Sequence, residues 1–251
     1  MCVLPIRSSL LNMSVNCSQV TILLPSSCNS FNSLKNIKQI KEIQLIKNRR
    51  DKTKINFKNL EWIFITTNVA NHYHLVKKYL NKRINVFCEK PLTNSIKKDL
   101  ELYKLAKKNK CRIYVSDIEN YKKLNLKLRS KNTIKRLKFS KNKKNIFERL
   151  VYHDFTYLFK ILKKKKISKT QIIKKSKGKL SFKVNVDNKE INFIYDLNSK
   201  RKIHKFNDIN LKTNKNILKD MLQKVILKKV NFYQNKKISL FSTLALNIVN
   251  K

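Results

Sequence analysis

Glycine is nearly missing from this chain, which has one glycine and three prolines among its 251 residues. Nucleotide-binding turns normally use several glycines, because a residue without Cβ permits a tight turn and lets backbone N–H groups approach a pyrophosphate. The composition therefore excludes a glycine-rich phosphate loop. Lysine, asparagine and isoleucine are abundant instead, which is the bias that AT-rich codons produce.

Acidic residues are also scarce, with 15 Asp and Glu against 59 Lys and Arg and a formal net charge of +44. A sequence pI near 10.3 suggests a polyanion as partner. However, the basic residues are spread along the whole chain, and lysine far outnumbers the arginine that makes bidentate base or phosphate contacts. We expect no specific nucleic-acid partner, and a basic nucleic-acid-binding protein is the least favoured alternative.

Long apolar runs and paired cysteine motifs are absent as well. No run approaches the roughly 20 residues needed to cross a bilayer, so we expect no membrane span. The five cysteines are odd in number and have no C-x-x-C spacing, which argues against a disulfide framework or a zinc site. Reduced thiols fit a cytoplasmic protein. The first dozen residues lack a convincing export pattern, and Met13 is a second candidate start.

Residues 62–121 alternate between strand-like and helix-like patterns, and this stretch organises the chain. Short apolar runs predict buried strands at 62–67, 86–88 and 112–115, with amphipathic helices between them, the second capped by Asn94 or Ser95. Upstream, residues 19–24 and 42–46 are two further predicted strands with a short helix between them. Such alternation predicts parallel strands joined by right-handed crossovers.

After residue 121 the apolar period changes towards two. Paired strands are predicted between residues 171 and 206, with a hairpin turn at 187–189, because alternating residues there are apolar. A strand is also expected at 133–139, and helices at 122–129, 148–162, 217–230 and 240–249. We therefore place two domains, residues 13–121 and residues 122–251.

Two motifs carry a family resemblance. Thr66-Thr67-Asn68 followed by His72, a helix, and Glu89-Lys90-Pro91 resemble the Gfo/Idh/MocA family (glucose-fructose oxidoreductase / inositol dehydrogenase), in which an A-T-P-N-x-x-H turn and an E-K-P turn have this spacing. His153-Asp154 matches the family's frequent H-D pair. An unrelated strand-helix-strand unit is the alternative. The resemblance implies a Rossmann-like doubly wound parallel sheet followed by an α/β domain with a mostly antiparallel sheet.

The resemblance also implies a function. A family member is an NAD(P)-dependent oxidoreductase that moves hydride between nicotinamide and the hydroxyl-bearing carbon of a sugar, polyol or nucleotide sugar. Lys90 is the expected general base, His153 is expected to bind the substrate or share the proton, and both should face one cleft. Glu89 would orient the backbone and the ribose. The second domain would bind the substrate and form the contacts of a homo-oligomer.

The expected cofactor is NADP or NAD, bound weakly. Its predicted contacts comprise the residues that replace the glycine loop and the two family turns: Ser26, Ser27, Asn29, Thr67, Asn68, His72, Glu89 and Lys90. The acid that would hold the ribose hydroxyls is replaced by Lys47-Asn48-Arg49-Arg50, which favours the 2′-phosphate of NADP unless this run is only a solvated surface.

Two departures from the family pattern leave a second alternative open. The family helix reads D-x-x-x-H-x-x-D, but Arg149 stands four residues before His153 and Thr156 three residues after it. A histidine without a partner carboxylate loses control of its tautomer. The chain is therefore either an oxidoreductase with a degenerate cofactor loop or a catalytically degenerate member that acts as a binding or scaffold protein.

Overall fold

The computed structural model describes residues 2–7, 19–24, 44–45, 60–122, 124–162, 167–186, 188–212 and 217–249. The strands are β1 Cys2–Arg7, β2 Gln19–Leu24, β3 Gln44–Leu45, β4 Leu60–Ile65, β5 Asn85–Cys88, β6 Ile113–Val115, β7 Lys131–Phe139, β8 Ile167–Ser176, β9 Lys179–Val186, β10 Lys189–Asp196, β11 Asn198–Phe206 and β12 Ile209–Asn210. The helices are α1 Val69–Asn81, α2 Ile96–Lys108, α3 Tyr152–Ile161, α4 Ile217–Ile226 and α5 Phe232–Val249.

The described residues fall into two compact units. The first lies within Met1–Ile118 and Asn216–Ser239, and the second within Glu119–Lys215 and Leu240–Lys251. Among the described residues, no helix is both long enough and apolar enough to cross a membrane.

The sheet of the first unit has the order β3-β1-β2-β4-β5-β6. Strands β2, β4, β5 and β6 are parallel neighbours, and β1 pairs antiparallel with both β2 and β3. Strand β1, which separates β2 from β3, was not predicted from the sequence. Pro5 within β1 argues against a strand with partners on both sides, because proline has no N–H to donate. The helix expected between β2 and β3 lies outside the described residues.

Helices α1 and α2 follow their apolar spacing. The buried residues of α1 recur at intervals of three and four, as a helix packed on a sheet requires: His72, Leu75, Val76, Tyr79 and Leu80. For α2, Ser95 is the cap, since its Oγ accepts from the Lys98 N–H at 3.5 Å. Asp99 in the first turn suits the positive end of the helix dipole.

Aromatic rings from neighbouring strands form the core of the first unit. The parallel register places Phe64 beside Phe87 and Phe87 beside Tyr114, and the rings stack at 4.8 and 5.9 Å between centroids. Asn235 of α5 then closes the edge of the sheet, because its side-chain amide bonds both the N–H and the C=O of Val115, each at 2.9 Å.

The second unit contains a mixed sheet with the order β12-β11-β7-β10-β9-β8. Only the β7–β10 pair is parallel among the described ladders, and the rest are antiparallel. Alternate residues of β9 and β10 are buried, and Phe182 stacks on Phe193 at 4.6 Å between centroids. The predicted fold, a parallel sheet followed by a mostly antiparallel one with helices, is confirmed.

One helix prediction was wrong. Residues 122 and 124–129 are not helical, and the chain forms only a short 3-10 turn, Ile118–Tyr121, before them. Leu124, Leu126 and Leu128 recur at every second position, which is the period of an extended segment rather than a helix. Helix α5 also begins earlier than predicted, at Phe232 rather than residue 240.

Candidate functional site

Lys90 is the second residue after β5, which ends at Cys88. The Glu89 N–H donates to the Ile65 carbonyl at 2.8 Å, so the pairing with β4 continues one residue past the strand. Glu89 Oε2 accepts from the Lys90 N–H at 3.4 Å, and the Lys90–Pro91 peptide bond is cis. Glu89 and Lys90 are half-buried. The lysine that the resemblance assigns as base therefore stands on a hydrogen-bonded backbone at the carboxyl end of a central strand.

The turn after β4 supplies further polar groups at the same edge. Thr67 is half-buried and its Oγ1 donates to the Asn68 carbonyl at 3.4 Å. Asn68 is exposed and is the N-cap residue of α1, but its side chain makes no capping hydrogen bond. Carboxyl ends of neighbouring parallel strands meet at one edge of a sheet, which is where open α/β sheets bind ligands.

His72 joins the two turns. The ring is buried, at 1% exposure, with Nε2 2.9 Å from the Thr67 carbonyl oxygen and Nδ1 2.8 Å from the Pro91 carbonyl oxygen. A carbonyl can only accept, and a neutral imidazole has one N–H, so the ring donates to both carbonyls only when it carries two protons. His72 thus fixes the turns after β4 and β5 relative to each other. Its predicted contact with the cofactor stays a prediction.

Buried polar groups support the segment that leads from Pro91 to α2. Thr93 Oγ1 donates to Asp99 Oδ1 at 2.6 Å and accepts from the Ser95 N–H at 3.0 Å. Burial raises the pKa of the Cys88 thiol well above its usual value, with the nearby charges of Glu89 and Asp99 acting in the same direction. Cys88 is therefore a packing residue rather than a nucleophile. Neither Thr93 nor Asp99 was predicted from the sequence to support the site.

These residues fit one end of a dinucleotide. Thr67, Asn68, Glu89 and Lys90 offer hydroxyl, amide, carboxylate and ammonium groups that are not fully buried, a set suited to ribose hydroxyls and a carboxamide. Ser26, Ser27 and Asn29, together with the basic run at 47–50, lie outside the described residues, so their predicted phosphate contacts stay predictions. In the described part of the chain, no group of three His, Cys, Asp or Glu side chains could hold a metal ion.

His153 is the second residue of α3, and its side chain is 17% exposed. Its Nδ1 lies 3.9 Å from Oε1 of Glu119, a carboxylate that the sequence analysis did not assign to the site. Arg149, which replaces the expected acid, donates to the Asn142 carbonyl at 2.7 Å and the Lys144 carbonyl at 3.3 Å. Lys90 belongs to the first unit and His153 to the second, so the shared cleft stays a prediction.

The neighbour of His153 in the chain anchors the helix. Asp154 is fully buried; Tyr195 Oη donates to its Oδ2 at 2.8 Å, and His204 Nε2 lies 2.8 Å from its Oδ1. Burial by itself would raise the pKa of Asp154, but Arg136, His204 and Tyr195 outweigh it, and the pKa is lowered. Asp154 is therefore an ionised structural group that ties α3 to β10 and β11. In the sequence, the His153-Asp154 pair was the only sign that Asp154 is important.

Comparison with known proteins supports the resemblance. The family model for Gfo/Idh/MocA, an oxidoreductase family with a NAD-binding Rossmann fold, matches residues 16–117. No curated protein matches the sequence.

Solved structures are similar over most of the chain. UDP-N-acetylglucosamine 3-dehydrogenase GnnA from Acidithiobacillus ferrooxidans has a TM-score of 0.67 at 10% identity, covering 80% of this chain and 82% of that one. The WlbA (WbpB) dehydrogenase from Thermus thermophilus, in complex with NAD and UDP-GlcNAcA, has a TM-score of 0.61 at 11% identity, covering 75% and 72%. The WlbA dehydrogenase from Bordetella pertussis, with NADH and UDP-GlcNAcA, has a TM-score of 0.57 at 8% identity, covering 76% of each chain.

At these identities the solved structures show a common fold alone, and the similarity to the family comes from the match over residues 16–117. The turns after β4 and β5, which carry the resemblance, lie inside that range. Residues 16–117 thus match the model of the Gfo/Idh/MocA oxidoreductase family, although this segment has no glycine-rich loop.

Proposed function

We propose that this protein is an NAD(P)-dependent oxidoreductase that acts on a hydroxyl group of a sugar, polyol or nucleotide sugar. The observation that carries the proposal is the position of Lys90, two residues after β5 and next to Glu89, whose backbone bonds β4, inside the segment that matches the family. The relatives named above support a carbohydrate-like substrate, since two of them were solved with UDP-GlcNAcA.

Lys90 has the chemistry required of the proton-transfer group. Oxidation of a secondary hydroxyl releases its proton as the hydride leaves, and a positioned base that accepts this proton contributes about 10² to 10⁴ in rate. When bound, nicotinamide supplies the hydride acceptor or donor. Glu89, next in the chain, orients the Lys90 backbone through its 3.4 Å contact and is placed to hold a ribose hydroxyl.

His153 is proposed to hold the substrate hydroxyl or to share its proton with Lys90. In this proposal both residues act on one substrate, with residues 13–121 serving the cofactor and residues 122–251 serving the substrate and contacts between copies of the chain. A cytoplasmic location remains part of the proposal.

The cofactor is proposed to bind weakly and to be NADPH in preference to NADH. Ser26, Ser27 and Asn29 can donate hydrogen bonds, but each adds a Cβ where a glycine loop would let phosphate approach. Lys47, Arg49 or Arg50 would favour a 2′-phosphate. Thr67, Asn68 and His72 complete the site, His72 by fixing the turn that carries Thr67.

The direct test is a titration of purified protein with NADPH and NADH, followed by nicotinamide fluorescence. We expect saturable binding of both, with NADPH tighter, and the preference should disappear in an Arg49→Gln, Arg50→Gln variant. A matched control is Arg201→Gln, which removes an exposed arginine from β11 in the other unit. If neither cofactor bound at millimolar concentration, the oxidoreductase proposal would be wrong.

Absence of binding would instead favour the second candidate, a family fold that has lost cofactor chemistry and acts as a binding or scaffold protein. The observation that favours it is Arg149, whose guanidinium bonds loop carbonyls where the family has an acid. An activity assay distinguishes the two candidate functions. Only the oxidoreductase requires turnover of a hydroxyl substrate with a stoichiometric change in nicotinamide absorbance.

A further inference from the structure

Glu119 is a buried carboxylate whose position the family resemblance does not explain. It lies in the 3-10 turn Ile118–Tyr121, and its side chain is only 5% exposed. The chain has just 15 acidic residues, and a buried carboxylate is costly unless it is bonded. The side chains around Glu119 must therefore supply its hydrogen bonds, and they indicate its role.

The two oxygens of Glu119 have different partners. Oε2 accepts a hydrogen bond from the Tyr157 hydroxyl and lies 2.5 Å from Lys122 Nζ. Oε1 faces His153, with Nδ1 at 3.9 Å. One oxygen is thus anchored by two donors, and this anchoring fixes the plane in which the other oxygen is presented to the imidazole.

Two lysines lie around Glu119. Lys122 contributes a positive charge at Oε2, and Lys160 Nζ donates to the backbone carbonyls of Glu119 at 3.2 Å and of Asn120 at 2.7 Å. Burial raises the pKa of Tyr157 far above its usual value, and the charge and hydrogen bond of Glu119 add to that effect, so Tyr157 donates at any working pH.

Asp154, the acid next to His153 in the chain, bonds other side chains. Asp154 is held by Tyr195, His204 and Arg136, and its oxygens are used there. The His153 ring faces the carboxylate of Glu119 instead.

We propose that Glu119 is the positioning residue of His153 and does the work of the carboxylate that Arg149 replaces. This inference rests on the proposed function for its catalytic meaning, although its structural content does not need a cofactor. At 3.9 Å the contact is too long for a hydrogen bond, and such contacts often tighten only when substrate is bound. With the proton on Nδ1, directed at Glu119, the opposite nitrogen Nε2 keeps its lone pair and can accept a substrate proton.

The first experiment needs no variant except for assignment. The protein has four histidines, so long-range ¹H–¹⁵N correlation spectra can resolve the ring of each, and the signal that disappears in His153→Asn belongs to His153. We expect neutral His153 to carry its proton on Nδ1. A proton on Nε2, the tautomer that isolated histidine prefers, would overturn the proposal.

The second experiment measures the charge effect by titrating the same signal in Glu119→Gln. Removal of a nearby negative charge should lower the pKa of His153 and should no longer favour the Nδ1 tautomer. The control is Glu190→Gln, which removes a carboxylate that bonds Lys183 and Asn192 of the sheet and should leave His153 unchanged. An unchanged midpoint of the His153 titration in folded Glu119→Gln would overturn the proposal. If that variant does not fold, the tautomer of His153 measured in the wild-type protein tests the proposal instead.

The kinetic consequence separates this inference from the proposed function. If the enzyme turns over, Glu119→Gln should lower kcat about tenfold, leave the cofactor Kd unchanged and move the acidic limb of the pH–rate profile to lower pH. A variant with wild-type kcat and an unmoved limb would contradict the catalytic part. If no cofactor binds but His153 shows the Nδ1 tautomer and the shift in Glu119→Gln, the proposed function fails while the pairing stands.

Discussion

Replacing Asp154 by asparagine should strongly destabilise the second unit. The carboxylate is 0% exposed, and it is bonded by Tyr195 and His204 at 2.8 Å each, with Arg136 Nη1 at 3.7 Å. A hydrogen bond to a charged group contributes about 1.5–3 kcal/mol, and asparagine keeps one acceptor but turns an NH₂ group towards a donor. Removing one partner of a buried charged cluster costs about 3–5 kcal/mol, which is the loss we expect here.

The assay is urea unfolding followed by near-ultraviolet circular dichroism at neutral pH. The matched control is Asp208→Asn, because the Asp208 side chain is 84% exposed and pairs with the exposed Arg129. Exposed ion pairs contribute little to the free energy of unfolding, so the control should unfold at the same urea concentration as the wild type. Equal midpoints for Asp154→Asn and Asp208→Asn would refute the account of Asp154 as an anchor of α3.

The same comparison has a pH dependence with a definite sign. The pKa of Asp154 is lowered in the folded protein, so its contribution is fully present above the ordinary carboxyl value of about 4 and is lost as pH falls through the lower folded pKa. The stability difference between wild type and Asp154→Asn should therefore narrow as the pH falls below about 4. A difference that grew towards low pH would contradict the assignment of Asp154 as ionised.

Three further outcomes are expected. Lys90→Met should lower kcat by about a hundredfold or more and leave cofactor affinity nearly intact, and wild-type kcat in this variant would remove Lys90 from the reaction. Phe87→Ala should cost about 3–5 kcal/mol in urea unfolding, because Phe87 is 2% exposed between two aromatic rings, whereas Leu100→Ala, at 43% exposure, should change stability little. Nucleic acid should associate only loosely, without sequence preference and with a steep loss in salt; nanomolar, sequence-specific binding at physiological salt would contradict this.

Much of the first unit could be predicted from local pattern. Apolar runs located β4, β5 and β6. Pro91 marked where a strand ends and Asn94 or Ser95 where a helix begins, because proline and capping residues act on their immediate neighbours; the structure selects Ser95. The family motifs then located the turns after β4 and β5. The segment 122–129 was misread because its leucines were assigned to a helix in spite of their period of two.

The roles of the polar residues could not be predicted in the same way. The bonds of the His72 ring to the carbonyls of Thr67 and of Pro91, which is 19 positions away, were not predicted, and its contact with the cofactor stays a prediction. Whether a polar side chain faces a ligand or a carbonyl depends on which turn lies opposite, and no local propensity records that.

The sequence by itself determined the order and kind of most elements, the position of Lys90 after a buried strand and the absence of a glycine loop, since each of these depends on residues close together in the chain. The tertiary structure decided what surrounds His153 and Asp154. Glu119 comes from a turn before the second sheet, and Tyr195 and His204 come from β10 and β11, 41 and 50 positions from Asp154. A buried charge takes whichever partners the packed fold brings within hydrogen-bonding range, and only the fold determines which those are.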